Sequence, residues 1–282
     1  WTFGLNGSGV VVGVADTGID SDHSCFRNIS SSSIGYEHRK LLHVNTTIDD
    51  WDSSGHADYR HGTHTAGILG CHPVDTATGN VAPSAMMALG YDTRLVVQDI
   101  VSDDGWVPPD VDLLLAESAM YGGFIHSNSW GDDTTDYTLR SGDFDAFTRE
   151  FPWTLPLIAP GNNGERVLEP ANARNVVAVG ASTKDDVTER WVGSVHGPTD
   201  SDTRGIFALA PGASIVSARS DGVPDSYNSG QHTLSGTSMS TPMAASYASV
   251  VQQMVQEGWI TGHNETLGAH NLQLSVPWFE TD

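Results

Sequence analysis

Residues 9–20 read GVVVGVADTGID. The run from Gly9 to Ala15 is short and β-branched, which suits a buried strand rather than a helix. Asp16 closes it, and Thr17-Gly18 supplies a turn. Working outward, RLVVQDI (94–100), FIHSNSW (124–130), TLPLIAP (154–160), NVVAVGA (175–181) and IFALAP (206–211) read as further strands. Helical composition separates them at His61–Cys71, Asp110–Met120 and Asp143–Phe151, and again after LSGTSMSTP (234–242). Such alternation predicts an α/β fold, a mostly parallel central sheet with helices on both faces. No linker-like break divides the chain, so residues 1–282 read as one domain. In sheets of this kind chemistry is expected beyond the carboxyl ends of the strands.

The composition is globular, with 38% hydrophobic and 17% charged residues. No apolar run approaches the length of a membrane helix. The start, Trp1-Thr2-Phe3-Gly4, lacks the basic patch and apolar core of a signal peptide; if the protein is secreted, the expectation is that this is its mature form. Charge is the outlier: 35 acids face 13 bases, a net charge of −22, and only Lys40 and Lys184 are lysines. That balance argues against partners rich in phosphate, nucleic acids and anionic membranes alike. It fits a heavily hydrated surface and suggests life at high salt.

Two further stretches carry chemistry. In YRHGTHTAGILG (59–70) His61 stands where a loop becomes a helix, with His64 on the same face. His61 suits a general base near neutral pH. A metal set of His56, Asp58, His61 and His64 is the alternative, although Gly62 occupies the place where HExxH hydrolases carry their Glu. In LSGTSMSTP, Ser238 sits at a helix start with Pro242 near the first helical position. A serine hydroxyl needs a neighbouring base to become a nucleophile, and outward-pointing N–H groups at a helix start stabilise developing negative charge. Ser240 replaces the last Gly of a GxSxG elbow, which sets this motif apart from α/β-hydrolases.

VADTGID, HGTHTAG and GTSMSTP, in that order, resemble the signatures of the subtilase family of serine proteases, and IHSNSWG, APGNNG, VHGPT and ALAPG add to the likeness. HSNSWG, with VQDI ahead of it and SIVSARSDGVPDS behind, looks most like the oxidatively stable alkaline protease branch. The family resemblance implies a catalytic set of Asp16, His61 and Ser238, with Asn162 as oxyanion donor. It makes Ser129, Trp130 and Gly131 the strand that pairs with substrate backbone, with Asp104, Gly105 and Trp106 on the opposite side. Backbone pairing implies broad specificity, and Asp103 and Asp104 would favour basic substrate residues. His64 becomes a structural helix residue. Departures also stand out: Pro160 replaces a usual Ala, and the divergent loop 165–172 leaves Leu168 and Glu169 unassigned as pocket floor. The end of the chain departs from the family close, and the expectation is that a further β domain, common in the named branch, is absent.

In relatives the positions of Cys25 and Cys71 lie together at a calcium loop that HPVDTATGN (72–80) matches poorly, so the resemblance implies a Cys25–Cys71 disulfide instead. Such a bond agrees with an extracellular setting. The chemistry needs no cofactor. Structural calcium is conceivable at Asp49, Asp50 and Asp52 or at Asp132, Asp133 and Asp136, clusters that an Asp-rich chain makes easily. Sequons start at Asn6, Asn28, Asn45 and Asn264, only slightly more than chance provides. The resulting expectation is a secreted, zymogen-derived, monomeric serine endopeptidase acting on proteins or peptides through an acyl-enzyme. Its rival is a catalytically inactive subtilase fold used for binding, which the loss of Asp16, His61, Asn162 or Ser238 would have favoured; all four are present. A cysteine hydrolase is weaker, since neither Cys stands in a motif with a base.

Overall fold

The opening apolar run becomes β1 (Val11–Asp16), with Val12, Val14 and Ala15 almost wholly buried. The computed structural model describes residues 3–29, 33–48, 52, 60–75, 86–163, 165–203, 205–223 and 225–259. After β1 come β2 (Leu41–Asn45), α1 (His61–Gly70) and β3 (Arg94–Asp99). A two-stranded hairpin of β4 (Val101–Ser102) and β5 (Gly105–Trp106) leads to α2 (Val111–Met120), β6 (Gly123–Asn128), α3 (Leu139–Glu150), β7 (Leu155–Ile158) and β8 (Val177–Ser182). The chain then forms β9 (Ala208–Pro211), a second hairpin of β10 (Ile215–Ala218) and β11 (Gln231–Leu234), and α4 (Thr237–Gln256).

Seven strands make one sheet in the order β2-β3-β1-β6-β7-β8-β9, and every neighbouring pair is parallel. Parallel neighbours need crossovers, and those crossovers cover both faces. On one face Val12 and Val14 share a core with Ala66 and Leu69 of α1 and Ala245 of α4. On the other, Val111 and Leu115 of α2 pack with Phe144 and Phe147 of α3 and Ile158 of β7. The predicted α/β architecture is therefore the observed one. Because β1 lies between β3 and β6, the strand order reverses there, and the crevice opens where Asp16 and Asn128 end their strands.

Two helices begin earlier than the sequence reading places them. α3 starts at Leu139 rather than near Asp143, because the Thr138 side chain caps it by accepting from the Ser141 amide. Leu139 itself is left exposed, which hides the helix from an amphipathic pattern. α4 starts at Thr237, so Pro242 lies inside the helix rather than near its first position. Proline there removes the N–H that would bond the Ser238 carbonyl. The Ser129 hydroxyl, at the end of β6, donates to that carbonyl instead at 2.9 Å. The interior proline is thus tolerated, and β6 is tied to α4. Cys25 and Cys71 are bonded to one another, both fully buried, with α1 ending at Cys71.

Candidate active site

Asp16, at the carboxyl end of β1, is 3% exposed, and both its oxygens are engaged. Oδ1 accepts from the Thr17 amide at 2.8 Å and from His61 Nδ1 at 2.7 Å. Oδ2 accepts from Thr65 Oγ1 at 3.1 Å. The carboxylate is fixed, so it fixes the imidazole in turn. With Nδ1–H committed to Asp16, Nε2 is the ring nitrogen able to accept a proton. His61 opens α1 and keeps its side chain about one quarter exposed.

The close approach of α1 to the turn after β1 depends on Gly62, where a Cβ would lie 2.1 Å from the Gly18 carbonyl oxygen. A residue that sequence reasoning placed elsewhere completes this junction. Asp52, considered only within a calcium cluster, is fully buried and accepts from Thr17 Oγ1 at 3.0 Å, from the Thr63 amide at 3.0 Å and from the Thr63 hydroxyl. Thr17 Oγ1 accepts from the Gly62 amide at 2.7 Å. Asp52 therefore clamps the turn carrying Asp16 to the first turn carrying His61, and burial pushes its own carboxyl well above the ordinary range. Its distance in sequence from HGTH hides this role.

Ser238 is the second residue of α4, the helix that packs against α1. Its hydroxyl donates to the Ser129 carbonyl at 3.4 Å. Its amide belongs to the first turn, where N–H groups have no intrahelical carbonyl to bond. Asn162 is exposed, and its Oδ1 accepts from the Thr237 amide at 2.8 Å and from Thr237 Oγ1 at 3.1 Å. An amide N–H can only donate, so the carboxamide oxygen must face the helix and Nδ2 remains as the donor on the other side. Asn163 instead serves its own loop, accepting from the Glu165 amide at 3.1 Å.

Ser129, Trp130, Gly131, Asn162, Leu168 and Ser238 share one cleft of about 240 Å³. Gly131 lets its walls close up, since a Cβ there would lie 2.1 Å from the Glu169 carbonyl oxygen. Leu168 and Glu169, left unassigned from the sequence, both line this cleft. Asp104 and Gly105 belong to the β4–β5 hairpin, whose Trp106 packs on Trp130 with ring centroids 5.3 Å apart. The residues expected on two sides of a substrate thus meet at one end, through an aromatic pair.

Of the alternative metal set only His61 and His64 lie among the described residues. His64 is fully buried, with Nε2 3.2 Å from the Ile215 carbonyl and 3.3 Å from that of His232. Burial holds its ring neutral, with a pKa near 3. His56, Asp58, Asp49, Asp50 and Asn264 lie outside the described residues. Among the described residues no group of three or more His, Cys, Asp or Glu side chains is placed to hold a metal ion. Asp132 is engaged by Arg140 and Asp52 by the two threonines. No helix among the described residues is long and apolar enough to cross a membrane.

Known proteins resemble this chain in sequence and in fold. Subtilisin BL of Lederbergia lenta is 30% identical over 255 residues, covering 89% of this chain and 78% of that protein. The serine protease/ABC transporter B family protein tagD of Dictyostelium discoideum is 32% identical over 190 residues, 63% of this chain but only 10% of that far longer protein. Among solved structures, a mutant of the protease domain of PatA superposes with a TM-score of 0.63 at 24% identity, over 90% of this chain and 84% of that one, a likeness of fold. The subtilase family model of S8 peptidases matches residues 7–270, and the chain belongs to that family.

Proposed function

We propose that the protein is a secreted serine endopeptidase. The observation that carries this reading is the 2.7 Å bond from His61 to a carboxylate whose every oxygen is engaged, on a helix packed against the one whose second residue is Ser238. In the proposed reaction Ser238 Oγ attacks the scissile carbonyl while His61 Nε2 removes its proton. Asp16 holds the imidazole in the productive tautomer and stabilises the imidazolium. The developing oxyanion takes hydrogen bonds from Asn162 Nδ2 and the Ser238 amide. The proton then passes to the leaving amine, and water hydrolyses the acyl-enzyme by the same route in reverse. Extended substrate pairs by its backbone with Ser129–Gly131 on one side and Asp104–Trp106 on the other, a mode that tolerates many side chains. The buried disulfide supports an oxidising, extracellular setting.

The test is hydrolysis of a peptide library by the wild type and by Ser238→Ala, with labelling by a serine-directed phosphonate. The wild type should cut and be labelled at Ser238, while the variant folds but does neither. Peptidase activity surviving in Ser238→Ala, or abolished by thiol alkylation, refutes the mechanism.

A further inference from the structure

The cleft beside Ser238 has an acid at its edge whose charge is cancelled from behind. Glu169 lines the cleft, yet its side chain is completely buried. Its Oε1 accepts from Arg140 Nε at 2.6 Å and from Thr138 Oγ1 at 2.9 Å. Its Oε2 accepts from Arg140 Nη2 at 3.1 Å and from the Asp132 amide at 3.3 Å. This is the bidentate fork that a guanidinium makes with a carboxylate, and it leaves no lone pair turned toward a ligand. Arg140 is itself 13% exposed, with its guanidinium carbon 5.5 Å from the Trp106 ring centre and 5.8 Å from that of Trp130. Its Nη2 also engages the Asp132 carboxylate.

An unpaired carboxylate in that position would be a strong attractor for a cationic side chain, because charge interactions grow as water is excluded. With Arg140 in place, the apolar side chains lining the cleft are those of Trp130, Ala159 and Leu168. The other acids nearby are at hydrated places. Asp132, paired with Arg140, is about half exposed and Asp133 is exposed, both lining the cleft, while Asp103 and Asp104 stand exposed at the turn between β4 and β5, outside the cleft lining. Solvent and salt screen such charges.

We propose that Arg140 is a specificity-determining residue: by occupying the Glu169 carboxylate it keeps the cleft selective for a neutral, apolar substrate side chain and withholds a site for a cationic one. This rests on the endopeptidase reading above, with the cleft taking the side chain next to the scissile bond. Arg140 touches neither substrate nor the reacting atoms; it acts through the charge of Glu169. Its role therefore appears in the choice between substrates, which simple loss of packing would not steer in one direction.

The experiment compares kcat/KM for matched peptides carrying Leu, Lys or Glu before the scissile bond, using the full chain and its Arg140→Gln and Glu169→Gln variants. The wild type should prefer Leu over both charged peptides by at least ~10-fold. Arg140→Gln, which bares the carboxylate, should raise the Lys-to-Leu ratio by about 10-fold or more. Glu169→Gln, which leaves Arg140 without its acid, should lower the Lys-to-Glu ratio by a similar factor. The double variant, with neither charge, should return to the Leu preference, and it decides the matter if a single variant fails to fold. A wild type already favouring Lys, unmoved ratios in folded variants, or a double variant that gains Lys preference overturns the proposal. A wild type that cuts no peptide and takes no phosphonate overturns the endopeptidase reading instead.

Discussion

At Asn162 one hydrogen bond fixes the direction of others. The Thr237 amide holds Oδ1 at 2.8 Å, and that contact turns the carboxamide nitrogen away from the helix. Asn162→Ala should lower kcat by roughly 10²–10³-fold with little change in KM, the size of effect that loss of the corresponding donor has in subtilisin, a member of the same family. Steady-state kinetics on a good peptide would check it, and a loss confined to KM would contradict the oxyanion role. The motif PGNNG offers two neighbouring asparagines, and the sequence prefers Asn162 only through family resemblance. Their different partners in space separate them: the start of α4 for Asn162, its own loop for Asn163.

At the scale of elements, the junction of β6 with α4 depends on a proline. Pro242 deprives the Ser238 carbonyl of its helical donor, and Ser129 Oγ replaces it. Ser129→Ala would leave that carbonyl unpaired and should cost about 1–2 kcal/mol of stability in urea unfolding. Pro242→Ala restores an intrahelical N–H, so in that background the same Ser129→Ala change should cost less than about 0.5 kcal/mol. The difference is the coupling that a double-mutant cycle reads; equal costs in both backgrounds would refute the strap. The sequence shows Ser129 and Pro242 as unrelated residues of two motifs. Hydroxyls near a helix start read as caps, and only the packing of α4 against β6 reveals one used across elements.

For the whole molecule, the disulfide closes a separation of 46 residues and joins the loop after β1 to the end of α1. Replacing both cysteines by serine should cost about 4 kcal/mol by the loop-entropy argument, and chemical denaturation of oxidised and variant protein measures it. The response to acid follows from buried histidines. Burial lowers His23, His38 and His126 to about 4 and His64 to about 3, against an ordinary value of 6.5. Groups with depressed folded values give stability above the unfolded value that is lost as pH falls toward the folded one. Two buried acids oppose them: burial raises Asp20 to about 8 and lifts Asp52 well above its ordinary value, so unfolding releases their protons. Near pH 5 the four histidines take up more protons on unfolding than the buried acids give back, so stability should fall on acidification from pH 6 to pH 5. Urea midpoints at pH 7, 6 and 5 would show it, and a flat profile would contradict it.

The alternation of β-branched runs with helical ones by itself determined the layered parallel sheet, because burying those runs on both faces leaves few other architectures. Resemblance to the subtilase signatures put forward Asp16, His61 and Ser238 as the proposed catalytic set, since each signature is a contiguous stretch of the chain. Asp52, Arg140, Leu168 and Glu169 acquired meaning only in the tertiary structure. What each one does depends on partners distant in sequence: Asp52 on Thr17, Arg140 on Glu169 and Trp106, and the two loop residues on the segment around Gly131. Burial and charge pairing are properties of those neighbours, and no local pattern encodes them.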